Sequence, residues 1–104
     1  MLTLAVLWLG GPAVAAETGR EVYVAKCQAC HGDRGRGDGP AARALPKKPR
    51  DFSVPTFWAS VDDAQVERVI LNGLPGTIMR GFPMPPEQLD ALLAYLKGFV
   101  RVEG

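Results

Sequence analysis

Cys27-Gln28-Ala29-Cys30-His31 contains the only two cysteines and the only histidine of the 104-residue chain. Two thiols three positions apart near a helix end lie on one face, where they can add to the two vinyl groups along one edge of a porphyrin. The adjacent imidazole then meets the iron from the proximal side. C-x-x-C-H is the signature of c-type haem attachment, so the expected cofactor is one covalent haem c, held by Cys27 and Cys30 with His31 on the iron. Other uses of a cysteine pair fit less well. A disulfide between these two closes too small a loop to stabilise much. A thioredoxin-like redox pair belongs beside a βαβ pattern, and the sequence has none. A zinc site needs more ligands than two Cys and one His provide.

With no second histidine, this chain cannot supply two imidazoles to one iron. The electron-transfer alternative on the opposite side is a methionine thioether. Met1 is the start residue, which leaves Met79 and Met84, both in a Gly/Pro-rich stretch before the last predicted helix. No acid–base pair or nucleophile set is apparent, so the sequence describes an electron carrier rather than an enzyme.

Residues 1–9 are almost all apolar, Gly10-Gly11-Pro12 breaks the run, and Ala13-Val14-Ala15-Ala16 precedes the first charge at Glu17. This is the layout of a secretory signal, although no basic residue precedes the apolar core. Residues 1–16 are therefore expected to be a leader cleaved after Ala16, and residues 17–104 the functional domain, periplasmic or otherwise exported. The apolar run is well short of the roughly 20 residues that span a bilayer, so no stable membrane span is expected. The remaining length is marginal for an apolar core alone, and nine prolines and twelve glycines imply many loops. Such a chain usually needs a staple, and two thioether bonds to a large cofactor supply one. A net charge of +1 argues against nucleic-acid binding. The charge is uneven, with Arg34, Arg36, Arg43, Lys47, Lys48 and Arg50 opposed between 34 and 50 by Asp38 alone. Such a cluster is either a solvated face or a docking surface.

Three helices are predicted. The first runs from about Gly19 to Cys27, with Thr18 and Glu21 at capping-box spacing. The second follows Asp62, with Gln65 three residues on; Val66, Val69 and Ile70 form its apolar stripe and Gly73 its cap. The third starts near Pro86 and carries Leu89, Leu92, Leu93 and Leu96 on one face, with Gly98 past its end. No strand alternation is sustained. Segments 32–61 and 74–85 are read as long loops around the cofactor. The fold class is all-α, three main helices with long loops wrapped around one haem.

From Gly19 to Val100 the chain resembles a small bacterial class I c-type cytochrome. The resemblance is carried by Cys27-Gln28-Ala29-Cys30-His31-Gly32, Gly37-Asp38-Gly39-Pro40, Pro49-Arg50-Asp51-Phe52, Ile70-Leu71-Asn72-Gly73, Gly76-Thr77-Ile78-Met79 and Leu92-Leu93-Ala94-Tyr95-Leu96. It implies the cytochrome c-like fold and one-electron transfer between redox partner proteins, the chain acting as a monomer. The alternative is a haem-carrying subunit of a periplasmic dehydrogenase or reductase complex. In similar cytochromes the ligand methionine follows Gly-Thr-x, which is Met79 here. A proline usually follows that methionine, whereas Arg80 stands here and Met84-Pro85 offers the pair instead. The resemblance also implies that Gly19 and Tyr23 cross the last helix near Leu92 and Tyr95, and that the Pro40 carbonyl accepts the His31 ring N–H. It places Arg50 and Trp58 near the haem propionates. Phe52, Phe57, Leu45, Ile78 and Phe82 are expected to line the pocket.

Overall fold

The structure is a computed structural model that describes residues 12–100, with side chains described from Thr18 onward. Five α-helices follow in order: α1 Pro12–Lys26, α2 Gln28–His31, α3 Pro55–Ala59, α4 Asp63–Asn72 and α5 Pro86–Lys97, with a 3-10 turn Pro40–Ala44 between α2 and α3. The described residues form no strand; one antiparallel bridge joins Gly73 to Arg80. None of the described helices is long and apolar enough to cross a membrane.

The packing centre is the crossing of α1 and α5. A Cβ at Gly19 would run into the Ala91 carbonyl oxygen, so only glycine lets the two backbones approach this closely. One turn on, Tyr23 is fully buried, its ring 5.4 Å from Tyr95 and 5.1 Å from Phe99. Leu89, Leu92, Leu93 and Leu96 bury the apolar face of α5, and Val66 and Ile70 of α4 join them. The expected crossing of Gly19 and Tyr23 with the last helix is present.

The second expected helix forms with its cap. Asp62 Oδ1 accepts from the Gln65 amide at 2.8 Å, and Gln65 Oε1 accepts from the Asp62 amide at 2.8 Å, which satisfies two amides otherwise left open at a helix start. α5 begins at Pro86, and Gly98 caps it.

Two expectations change. α1 begins at Pro12, so Thr18 lies inside the helix and does not form a capping box with Glu21. Pro12 suits a first helical position, and alanines carry the helix forward from it. The leader expected over 1–16 lies outside the described residues up to 11, and its end is the first part of α1. Segment 32–61 is also less open than expected, because it holds the 3-10 turn and α3, each opened by a proline at its first position.

Candidate functional site

α1 runs almost directly into the attachment motif. The Cys27 amide donates to the Tyr23 carbonyl at 2.8 Å, and the His31 amide donates to the Cys27 carbonyl at 2.9 Å. α2 is a single turn that carries Gln28 to His31. Cys27 and Cys30 are free thiols, each half-buried. Burial pushes the Cys27 thiol up to about 11, against a smaller lowering by Lys26, so that thiol is held neutral.

The carbonyls at the end of α2 would be left open by so short a helix. The glycine-rich loop satisfies them: Gly39 donates to the Cys30 carbonyl at 3.0 Å and Gly37 to the His31 carbonyl at 2.8 Å. The Gly32 carbonyl accepts from the buried Tyr23 hydroxyl at 2.5 Å. Gly37 has φ 81, and a Cβ there would meet the Pro49 carbonyl oxygen. The loop threads between α2 and the Pro49-Arg50 segment because it lacks side chains.

His31 Nδ1 lies 3.1 Å from the Arg50 carbonyl oxygen. A carbonyl only accepts, so Nδ1 carries the proton and Nε2 keeps its lone pair. Desolvation lowers the basicity of the ring, partly offset by the Arg50 carbonyl. Phe52 is buried and stacks on the imidazole, centroids 4.6 Å apart and planes 22° apart. Phe57 and Trp58 pack behind it at 6.0 and 5.9 Å.

Two expected contacts are replaced. The Pro40 carbonyl does not take the His31 proton; Arg50 does. Pro40 opens the 3-10 turn, a conformation that turns carbonyls toward amides of its own residues. Trp58 does not present a free indole N–H to a propionate, because Nε1 donates to the Phe52 carbonyl at 2.9 Å. That bond fixes the ring stacked on His31. The Arg50 guanidinium is exposed and lies 5.0 Å from the Phe57 ring centroid.

Met79 is half-buried in the turn closed by the Gly73–Arg80 bridge. Its carbonyl accepts from the Leu74 amide at 3.1 Å, and its amide donates to Thr77 Oγ1 at 3.2 Å. Met84 packs against the core cluster instead. Leu74 and Ile78, on the same turn as Met79, are 44% and 64% exposed. Leu45 and Phe82 are half-buried, and Lys26 and Arg80 lie 5.8 and 5.1 Å from the Phe82 centroid.

The donor set fits haem c. Two unpaired thiols, one just before and one within the single turn of α2, lie beside an imidazole whose Nε2 is left free. Sequence reasoning missed two groups that build this arrangement, the Arg50 carbonyl and the Tyr23 hydroxyl. The first has no side-chain signature; the second was read as packing only.

The chain belongs to the cytochrome c family, whose model matches residues 16–99. It is 39% identical over 93 residues to the dihydro-heme d1 dehydrogenase of Pseudomonas aeruginosa, a match that covers 86% of this chain and 17% of that protein. Among solved structures it resembles part of a Kuenenia stuttgartiensis reducing HAO-like protein complex, with TM-score 0.67 and 31% identity over 81% of this chain and 42% of the other. It also resembles a c-type cytochrome with TM-score 0.68 and 27% identity, which it covers to 98% of that chain and 80% of its own. The protein therefore carries covalent haem c at its single C-x-x-C-H.

Proposed function

We propose that this protein is a mono-haem electron carrier with His31 and Met79 as the axial ligands, working outside the cytoplasm behind a leader at residues 1–16. Bound haem c supplies a one-electron ferric/ferrous couple. The observation that carries the reading is the fixed imidazole: the Arg50 carbonyl and the Phe52 ring set its tautomer and plane, leaving Nε2 to bind iron. Met79 is favoured as the second ligand because it sits in a turn tied by three backbone-anchored contacts, whereas Met84 is engaged in the core. Two protein ligands leave no open position for substrate. Arg50, exposed beside Phe57, is the cation proposed for a propionate.

The ferric protein should show the weak near-infrared band of methionine bound to iron. Met79→Ala should abolish it and Met84→Ala should leave it; the opposite result moves the ligand to Met84. Rapid carbon monoxide binding by the native ferrous protein would remove the electron-carrier assignment. The mass of the mature protein reads leader cleavage and covalent haem together.

A second reading is a haem-carrying subunit of a dehydrogenase or reductase complex. It is favoured by the relatives themselves, since the chain spans only 17% of the matched dehydrogenase and 42% of a chain in the HAO-like complex. Stoichiometric co-elution with a larger redox protein from its source supports this reading; elution alone as a monomer supports the free carrier.

A further inference from the structure

The His31 imidazole is held at its edge by the Arg50 carbonyl, 3.1 Å from Nδ1, and on its face by the Phe52 ring, 4.6 Å away. The residue between these two in sequence is Asp51. Its Oδ1 accepts from the Ser53 amide at 2.8 Å and from the Ser53 hydroxyl at 2.6 Å. A carboxylate that accepts from the amide two residues on closes an Asx turn, so the Asp51 side chain fixes the backbone that carries both contacts to His31.

Such turns often prepare a helix start. Here α3 begins two residues after Ser53, at Pro55, and its N-terminus receives no side-chain hydrogen bond. Asp51 also forms no ion pair among the described residues, where the one such pair joins Lys97 to Asp63. Its two bonds therefore serve the turn rather than the helix or a counter-charge. Asp51 and Ser53 are both half-buried, which limits competition from water for these bonds. The residue inside the turn is tied on both sides: the Phe52 amide donates to the Gly35 carbonyl at 2.6 Å, and the Phe52 carbonyl accepts from Trp58 Nε1 at 2.9 Å. Gly35 in turn lies against the Phe99 ring, where a Cβ would collide.

We infer that Asp51 is a positioning residue for the iron ligand: its turn with Ser53 places the Arg50 carbonyl and the Phe52 ring on His31 together, and thereby tunes the ferric/ferrous couple. The inference rests on the reading of His31 as iron ligand above and names the side chain that governs it. A substitution cannot remove a backbone acceptor, but it can remove the side chain that places it. A firmly accepted Nδ1–H makes the imidazole a better electron donor through Nε2, which favours ferric iron and lowers the reduction potential. A loosened turn weakens that bond and raises the potential.

His31 is the only histidine of the chain, so isotope labelling of histidine ring nitrogens reports on this residue alone. In the ferrous holoprotein, solvent exchange of the His31 Nδ1–H is measured relative to the amide of Leu92, which is fully buried in α5. Asp51→Ala should speed it at least about tenfold, the change expected when hydrogen bonds to a carboxylate are lost, and should raise the reduction potential. Asp51→Asn removes the charge but keeps an acceptor oxygen; it should exchange as the native protein does and have a lower potential than Asp51→Ala. Trp58→Phe frees the Phe52 carbonyl while leaving the aspartate, and should also speed exchange. Equal exchange in the native protein and Asp51→Ala overturns the proposal. So does a matching rise at Leu92, which is global destabilisation, and so does Asp51→Asn behaving as Asp51→Ala in both readings, which assigns the effect to charge alone. If Asp51→Ala does not accumulate as holoprotein, Trp58→Phe and Ser53→Ala carry the same comparison. Ring nitrogens without a hyperfine shift in the native ferric protein overturn the iron-ligand reading and the tuning together, which separates that failure from failure of the turn alone.

Discussion

Tyr23→Phe removes one hydroxyl from a fully buried side chain and leaves the ring. The hydroxyl donates to the Gly32 carbonyl at 2.5 Å, a neutral hydrogen bond that contributes about 1 kcal/mol net. The larger penalty of ~1–3 kcal/mol for an unsatisfied buried group does not apply, because the Gly35 amide also donates to Gly32 at 3.2 Å. Contacts of the ring with Tyr95 and Phe99 remain, so the ~3–5 kcal/mol lost on truncating a buried aromatic is not at stake. The expected loss is about 1 kcal/mol, or about 4–8 °C in Tm for a domain of this size. Thermal unfolding of the ferric holoprotein by circular dichroism measures it. The alkaline limb gives an independent readout. Burial raises the Tyr23 phenol above its ordinary value. A group whose folded pKa is raised contributes stability that is present below its unfolded value, about 10 for Tyr, and lost as pH rises through the folded one. The native protein should therefore lose more stability above about pH 10 than Tyr23→Phe does. An unchanged Tm together with an unchanged alkaline limb would refute the role given to this hydroxyl.

Asp62→Ala removes the cap of α4 and should cost about 1 kcal/mol, read as a lower urea midpoint at constant slope. Gly37→Ala must adopt φ 81 with its Cβ against the Pro49 carbonyl, so it should cost more than the ~1–2 kcal/mol of the left-handed conformation alone and loosen the His31 side of the site. Lys97→Ala breaks the ion pair to Asp63, but with those side chains 44% and 60% exposed the loss should stay below about 1 kcal/mol. Cys27→Ser/Cys30→Ser should yield a polypeptide from which acidic acetone extracts all haem, whereas the native protein keeps it.

What was legible in the sequence was what local chemistry decides. Asp62 and Gln65 announce a helix start because both halves of the cap are side chains three residues apart. The leucines of α5 repeat at the helical period, and Pro86 and Gly98 mark its ends. The attachment motif was legible because covalent chemistry demands those residue types at that spacing. The start of α1 was misplaced because Thr18 and Glu21 match a capping box that an alanine-rich helix simply runs through. The 3-10 turn and α3 went unseen because they are five residues each, too short for periodicity to register. The His31 acceptor was misassigned because every residue carries a carbonyl, and which one reaches the ring depends on how the loop threads.

That last error points to how the site is built. Around His31 the groups that fix geometry are mainly backbone: the carbonyls of Cys30 and His31 taken by Gly39 and Gly37, and the Arg50 carbonyl on Nδ1. Side chains enter as supports for that backbone. Tyr23 holds Gly32, and Trp58 holds the Phe52 carbonyl while the Phe52 ring covers the imidazole. Segment 32–61 contributes a single buried apolar side chain, Phe52, to a core otherwise drawn from α1, α4 and α5. Half-buried Phe57, Trp58 and Val61 back that side chain against the core, and hydrogen bonds to the attachment motif fix the path of the glycine-rich part. Surface substitutions within 34–50 that leave the backbone path intact are free to change charge without moving His31.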